Sequence, residues 1–247
     1  MTPHKVLVID DDTPTLNMFE LFLDVYGHEV MLAGNGTDGI KIFEAQKPAI
    51  VFTDIKMPGM DGLAVLDHIK TLAPETEVII MTGHGDMDLA VEALNHEATD
   101  FIKKPISRSA LDAALHRAKE RLNAGKPHVS VAEYRQEDDL RVIHILGNIN
   151  AGAEEALMAA YAQAGSEDSV QLLLSFNENT SINGAGIAVL IQLLAQSKKK
   201  KQKVAISGIS ENFHEIFRMV GITRFATVFT DKSDAKAYLA KGGIACP

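Results

Sequence analysis

Cysteine is all but missing from this chain: Cys246 is the single one in 247 residues. That excludes a disulfide framework and a metal site built on cysteines. Long apolar runs are missing too. No stretch of about 18 apolar residues occurs, so no membrane-spanning helix is expected. The start, Met1-Thr2-Pro3-His4-Lys5, runs straight into a strand-like segment without the apolar region of a signal peptide. These absences predict a soluble, cytoplasmic protein with no membrane role. Positive charge is scarce in one half only. Residues 1–122 carry 11 Lys and Arg against 20 Asp and Glu, whereas residues 123–247 carry 13 against 13. The acidic first half argues against nucleic-acid binding there.

What the chain does have is enough apolar content, 46%, to bury one large core or two ordinary ones. Through residue 122, short apolar runs alternate with helical patterns. Val6–Ile9, Val30–Ala33, Ile50–Thr53, Val78–Met81 and Thr99–Ile102 read as strands. The intervening helices are expected over Thr15–Tyr26, Gly36–Gln46, Leu63–Leu72, Met87–His96 and Ser107–Leu122. Five strand–helix units predict a parallel sheet covered on both faces. Asn123-Ala-Gly-Lys-Pro127 then interrupts the pattern as a linker, dividing a first domain, 1–122, from a second, 128–247. The second opens with an expected strand pair, Val129–Val131 and Val142–Leu146. Strands at Val170–Phe176, Val204–Ser207 and Val228–Phe229 follow, with helices at Ala153–Ala164, Ile187–Gln196, Phe213–Met219 and Ser233–Ala240. A mixed sheet results.

In the first half, polar groups fall at strand ends. Asp10-Asp11-Asp12 follow the first strand, Asp54 the third, Thr82 the fourth and Lys104-Pro105 the fifth. A parallel sheet brings such ends to one edge. Carboxylates gathered there repel one another unless a cation joins them, and hard oxygen donors suit magnesium. These stretches, together with Asp54-Ile-Lys-Met-Pro-Gly-Met-Asp-Gly62 and Met81-Thr-Gly83, resemble the receiver domain of bacterial two-component response regulators over His4–Leu122. The resemblance implies a flavodoxin-like (βα)5 fold with a five-stranded parallel sheet. It implies that Asp54 accepts a phosphoryl group from a sensor histidine kinase. Asp10, Asp11, Asp54 and the backbone carbonyl of Lys56 would hold Mg2+, with Asp12 a neighbouring surface charge. Thr82 and Lys104 would turn to the phosphoryl oxygens, and Phe101 stands where the family places an aromatic switch. Phe101 reads equally well as a fixed core residue, and His84 as an exposed loop histidine. Receivers often pair through the face beside Phe101, so a homodimer is open.

The second half shows no pair of short helices with a basic recognition face. Its one basic run, Lys198–Lys201 with Lys203, reads as a helix end favoured by the dipole. Three stretches instead resemble a STAS domain, the fold of anti-sigma factor antagonists: Ile145-Leu-Gly-Asn-Ile-Asn150, Ser181-Ile-Asn-Gly-Ala-Gly-Ile-Ala-Val-Leu190, and Phe217-Arg-Met-Val-Gly-Ile-Thr-Arg-Phe225. The resemblance covers about Val129–Ala240 and implies a smaller α/β domain. In kinase-regulated antagonists the middle segment carries an aspartate followed by the phosphorylated serine. Here Asn183 and Gly184 stand there, followed by Ala185, and Asn150 replaces a common acidic residue. Gly184 has no side chain to phosphorylate, and Thr180 and Ser181 read as turn residues.

The expected function is therefore a response regulator in which Asp54 controls a STAS protein-binding output, with an anti-sigma factor or related switch protein as partner. A second reading has the STAS domain binding a small ligand or nucleotide at Asn183–Gly186, as helix amides allow, although the loop lacks the lysine and hydroxyl of a P-loop. A signalling protein rather than an enzyme is expected, beyond the receiver assisting its own phosphorylation and dephosphorylation. His128, His144 and His214 have no metal-ligand spacing, and no Ser/His/Asp set appears.

Overall fold

The computed structural model describes residues 3–83, 85–123, 131–138, 140–165, 170–177 and 180–240. The backbone falls into two compact units, 1–126 and 127–247. In the first, β1 (Lys5–Ile9), α1 (Thr13–Val25), β2 (Glu29–Ala33), α2 (Gly36–Gln46) and β3 (Ile50–Asp54) lead into α3 (Gly62–Leu72), β4 (Glu77–Thr82), α4 (Met87–Asn95), β5 (Asp100–Lys103) and α5 (Arg108–Asn123). The strands pair in parallel in the order β2-β1-β3-β4-β5. β3 and β4 are buried at every position, as strands covered on both faces must be.

Alternation along the strands sorts the core. Val6, Val8, Phe52, Ile79 and Ile102 share one cluster with Phe19 and Leu23 of α1 and Leu111 and Leu115 of α5. The residues between them face the other way. There Gly39 of α2 lies so close to Ile9 that an added Cβ would stand 2.4 Å from Ile9 Cδ1. Phe101, next to Ile102, is fully buried and so turns away from α5.

The second unit contains β6 (Ala132–Glu137), β7 (Leu140–Ile145), a 3-10 turn at Ala151–Ala153, α6 (Glu154–Gln163), β8 (Gln171–Phe176), α7 (Gly184–Lys199), β9 (Lys203–Ser207), α8 (Glu211–Met219), β10 (Thr227–Phe229) and α9 (Lys232–Ala240). Its sheet order is β10-β9-β8-β7-β6, parallel except for the β6–β7 hairpin. The sheet is mixed, as expected. Among the described residues, the hairpin's first strand is Ala132–Glu137. Residues 129 and 130 lie outside those described, and β6 runs through Ala-Glu-Tyr-Arg-Gln-Glu. This strand is at the sheet edge, where charge is tolerated and protective, so it carries no apolar signature.

α7 also begins three residues earlier than the apolar pattern suggests. Asn183 closes its amino end by accepting the Gly186 N–H at 2.9 Å. The lysine run at its other end packs on the unit's own rings. Lys198 lies over Phe225 at 5.2 Å, Lys200 over Tyr161 at 5.5 Å and Lys203 over Tyr238 at 3.8 Å, which fits cation–π attraction with a helix-dipole preference.

Candidate functional site

Four strand ends of the first unit deliver the polar groups. β1 is followed by Asp10, β3 closes on Asp54, β4 closes on Thr82, and Lys104 follows β5. Lys104 Nζ stands 2.7 Å from Asp54 Oδ1 and 2.8 Å from Asp10 Oδ2. The Asp10 side chain is fully buried and that of Asp54 nearly so, while Lys104 is about a quarter exposed. Asp10 Oδ1 accepts the Asp12 N–H at 2.9 Å. Asp10 Oδ2 is buried and touches Lys104 only as an ion pair, without hydrogen-bond geometry.

Asp11 is exposed beside them, and one oxygen from each of Asp10, Asp11 and Asp54 lies within 4.8 Å of the others. Burial pushes the Asp54 carboxyl up from its ordinary range, with Asp10 and Asp11 adding to the rise, while Lys104 opposes it. Burial pulls the Lys104 ammonium down, but the two carboxylates outweigh it and leave Lys104 raised. This is an acidic pocket, short of positive charge, with a buried carboxylate oxygen unsaturated in hydrogen bonds. Such a donor set fits a hard divalent cation, and exposed Asp11 leaves one side of it open to water.

The loop after β3 shapes the pocket. Gly62 donates its N–H to Ile55 O at 3.0 Å, which folds the loop back on the strand end. A Cβ on Gly62 would stand 2.2 Å from the Asp54 carbonyl oxygen, so only glycine fits. The same loop brings Lys56, Met57 and Asp61 around a cleft of about 540 Å³ that Asp11 also lines. A cleft of similar size, lined by Phe43, Leu72 and Leu122, lies at the amino ends of the strands, away from the carboxylates.

Asp12 and Thr82 each have a local partner. Asp12 is exposed and caps α1, accepting the Thr15 N–H at 3.1 Å and the Thr15 hydroxyl at 2.7 Å. Thr82 is buried, and its hydroxyl donates to the Asp86 carbonyl at 3.3 Å. Sequence reasoning passed over Asp86, although an aspartate immediately before a helical pattern signals a cap. His84 lies outside the described residues.

In the second unit, Ile149 and Ile182 form a short parallel bridge that sets the turn before α7. A Cβ on Gly186 would stand 2.1 Å from the Ile149 carbonyl oxygen, so the helix start and the 148–150 loop are in backbone contact. Asn150 caps the 3-10 turn through the Gly152 N–H at 2.9 Å. Ala185 and Ala188 are exposed on α7, while Gly184 is half-buried. Ser181 is buried and its hydroxyl donates to Asn148 Oδ1 at 3.0 Å; the Thr180 hydroxyl is buried as well. Neither hydroxyl is presented to a kinase.

A separate ionic cluster closes the hairpin. Glu137 takes His144 Nε2 at 2.7 Å and Lys232 Nζ at 3.0 Å on one oxygen, and Lys236 Nζ at 2.7 Å on the other. Lys236 leads the contacts that hold the Glu137 carboxyl down, at about 2. A depressed folded value means stability present above the unfolded value near 4.5 and lost as pH falls toward 2. The side chain is a quarter exposed, so solvent screening leaves on the order of 1 kcal/mol. Glu137→Gln is therefore expected to lower stability at neutral pH and to flatten its decline between these values, read as exchange protection of β6 and β7.

Strand order 2-1-3-4-5 with an acidic pocket at the carboxyl edge places the first unit among the flavodoxin-like doubly wound domains. The family comparison is more specific: residues 6–116 match the response regulator receiver domain, and residues 131–235 match the STAS domain. The chain thus carries a response regulator receiver domain followed by a STAS domain. The C4-dicarboxylate transport transcriptional regulatory protein DctD of Rhizobium meliloti is 38% identical over 117 residues, covering 47% of this chain and 25% of DctD. The tetrathionate response regulatory protein TtrR of Salmonella typhimurium is 35% identical over 111 residues, 45% of this chain and 54% of TtrR. The chain thus spans between a quarter and about half the length of these curated relatives. Among solved structures, a response regulator receiver domain protein from Clostridium thermocellum is 36% identical, covering 49% of this chain and 94% of its own, with a TM-score of 0.46. The receiver domain of NtrX from Brucella abortus is 34% identical, covering 49% and 99%, with a TM-score of 0.44. Receiver and STAS domains are signalling domains, and no helix among the described residues is long and apolar enough to cross a membrane.

Proposed function

We propose that phosphorylation of Asp54 by a sensor histidine kinase controls which protein the STAS domain binds. The observation that carries this reading is Asp54 itself: a nearly buried carboxylate, 2.7 Å from a lysine, gathered with two further carboxylates at the edge of a parallel sheet. An Asp54 oxygen attacks the phosphorus of a phosphohistidine. The O–P bond forms, the P–N bond breaks, and the electron pair stays on the imidazole, which takes up a proton. Asp10, Asp11, Asp54 and the Lys56 carbonyl would hold Mg2+, which when bound offsets the negative charge on nucleophile and phosphoryl oxygens. Lys104, already on Asp54 Oδ1, is placed to follow the new charge as it moves outward onto the phosphoryl oxygens. The Thr82 hydroxyl leaves the Asp86 carbonyl to join it. Phe101, buried beside this edge, is the residue whose repacking would carry the change outward.

The output surface is the start of α7 around Asn183, Gly184 and Ala185, and the partner is an anti-sigma factor or related switch protein. Three observations support a contact surface controlled from elsewhere. Gly184 offers no phosphoacceptor, Ser181 is buried and bonded, and Ala185 and Ala188 are small and exposed. Affinity capture of the full chain, wild type against Asp54→Ala, is expected to yield an anti-sigma factor or its phosphatase counterpart in amounts that differ at least about five-fold between the two, a coupling of ~1 kcal/mol. Gly184→Asp adds charge to the surface and is expected to reduce capture by a similar factor while Gly184→Ser retains it. Equal capture by all four proteins would remove this reading.

A further inference from the structure

The aspartate before α4 is placed as a helix cap and does not act as one. Asp12, Asn35 and Asp61 each close the helix they precede, through the N–H groups of Thr15, Asp38 and Ala64. Asp86 holds the matching position before α4 and makes no side-chain bond to it. Its carboxylate instead reaches across to the loop after β3, where Oδ1 takes Lys56 Nζ at 2.6 Å. Its carbonyl accepts the Thr82 hydroxyl at 3.3 Å. Gly83 keeps the route open: a Cβ there would stand 3.2 Å from Asp86 Oδ2. One residue thus holds two groups that border Asp54, the side chain of the loop that follows it and the hydroxyl at the end of β4.

We propose that the Lys56–Asp86 ion pair is a positioning pair that parks Thr82 away from Asp54, an inference resting on Asp54 as the phosphoacceptor. The Asp86 carboxylate has two alternative partners, Lys56 and the unbonded amides at the start of α4, which favour an aspartate. The pair is weak by construction, since the Lys56 side chain is 63% exposed while that of Asp86 is 15% exposed. A phosphoryl group on Asp54 adds roughly 1.5 to 2 negative charges two residues from Lys56 and competes for its ammonium. When Lys56 leaves, Asp86 turns back to cap α4, its carbonyl shifts, and Thr82 is released towards the phosphoryl oxygens. The resting pair therefore opposes phosphorylation.

The test uses the full chain with magnesium and phosphoramidate, following phosphoryl uptake by intact mass. Lys56→Gln and Asp86→Ser, a residue that still caps helices, are each expected to take up the phosphoryl group about two- to five-fold faster, the range a partly exposed ion pair supplies. The exchanged pair, Lys56→Glu with Asp86→Lys, restores the ion pair without an ammonium for the phosphoryl group to draw off, and is expected to take up the phosphoryl group no faster than wild type. Without donor or metal, amides 85–90 are expected to show altered hydrogen exchange in both single variants and native exchange in the exchanged pair. Single variants at the wild-type rate, or an exchanged pair that behaves like the singles, overturn the proposal alone. No uptake in the wild type overturns the assignment of Asp54 and this inference with it.

Discussion

Asp54→Asn is expected to abolish phosphoryl uptake, from a histidine kinase or a small phosphodonor, by about 100-fold or more, while the receiver stays folded. A nucleophile cannot be replaced by an amide whose nitrogen pair is delocalised. The fold should tolerate the change because the substitution is isosteric and removes charge from a crowded place. Burial already raises the Asp54 carboxyl, and Asp10 and Asp11 add to that. The measurement is intact mass after incubation with donor and magnesium, alongside a thermal melt. The melt is expected to shift upward, since an ionised, desolvated carboxylate has been removed. Phosphoryl uptake by Asp54→Asn at the wild-type rate would falsify the assignment.

The second large effect lies in the core and not at the pocket. Arg117 on α5 reaches Asp100 at the start of β5 with Nε 2.7 Å from Oδ2, and Nη2 also bonds that oxygen. The side chains are 5% and 0% exposed. Arg117→Met is expected to cost about 3–5 kcal/mol, because it leaves a buried carboxylate without its charge partner. Burial pushes the Asp100 carboxyl up, and Arg117 is the main group opposing it. Without Arg117, protonation of Asp100 becomes the cheaper state, so the loss should be greatest at neutral pH and shrink as pH falls. Replacing both, Asp100→Leu with Arg117→Met, is expected to recover most of the loss. Denaturant unfolding of the full chain across pH checks both statements. A small loss in the single variant, equal at all pH values, would show that water or another cation reaches Asp100.

The two units differ in how openly their sequences declare them. In the receiver, β3 and β4 are buried throughout, so their apolar runs stand out and their ends can be located to a residue. Asp10, Asp54, Thr82 and Lys104 are legible because each stands at the end of an apolar run. In the STAS unit, β6 is an edge strand whose Ala132 and Tyr134 stand among glutamate, arginine and glutamine without an apolar run to mark it, and the start of α7 is glycine and alanine. Those elements exist because a partner strand and the Ile149 carbonyl accept them. Local sequence carries no trace of such acceptance.

The sequence by itself determined the two-domain α/β architecture, the convergence of polar groups on one edge of the first sheet, and the absence of a phosphoacceptor at Gly184. All three follow from periodicity, strand-end placement and the chemistry of single side chains, which are local properties. Only the tertiary structure decided that Lys104 bridges Asp10 and Asp54, that Thr82 rests on Asp86, that Lys56 pairs with Asp86, and that Glu137 gathers His144, Lys232 and Lys236. Those partners come from different elements of each fold. Which charge meets which depends on loop paths and burial, and no spacing along the chain encodes them.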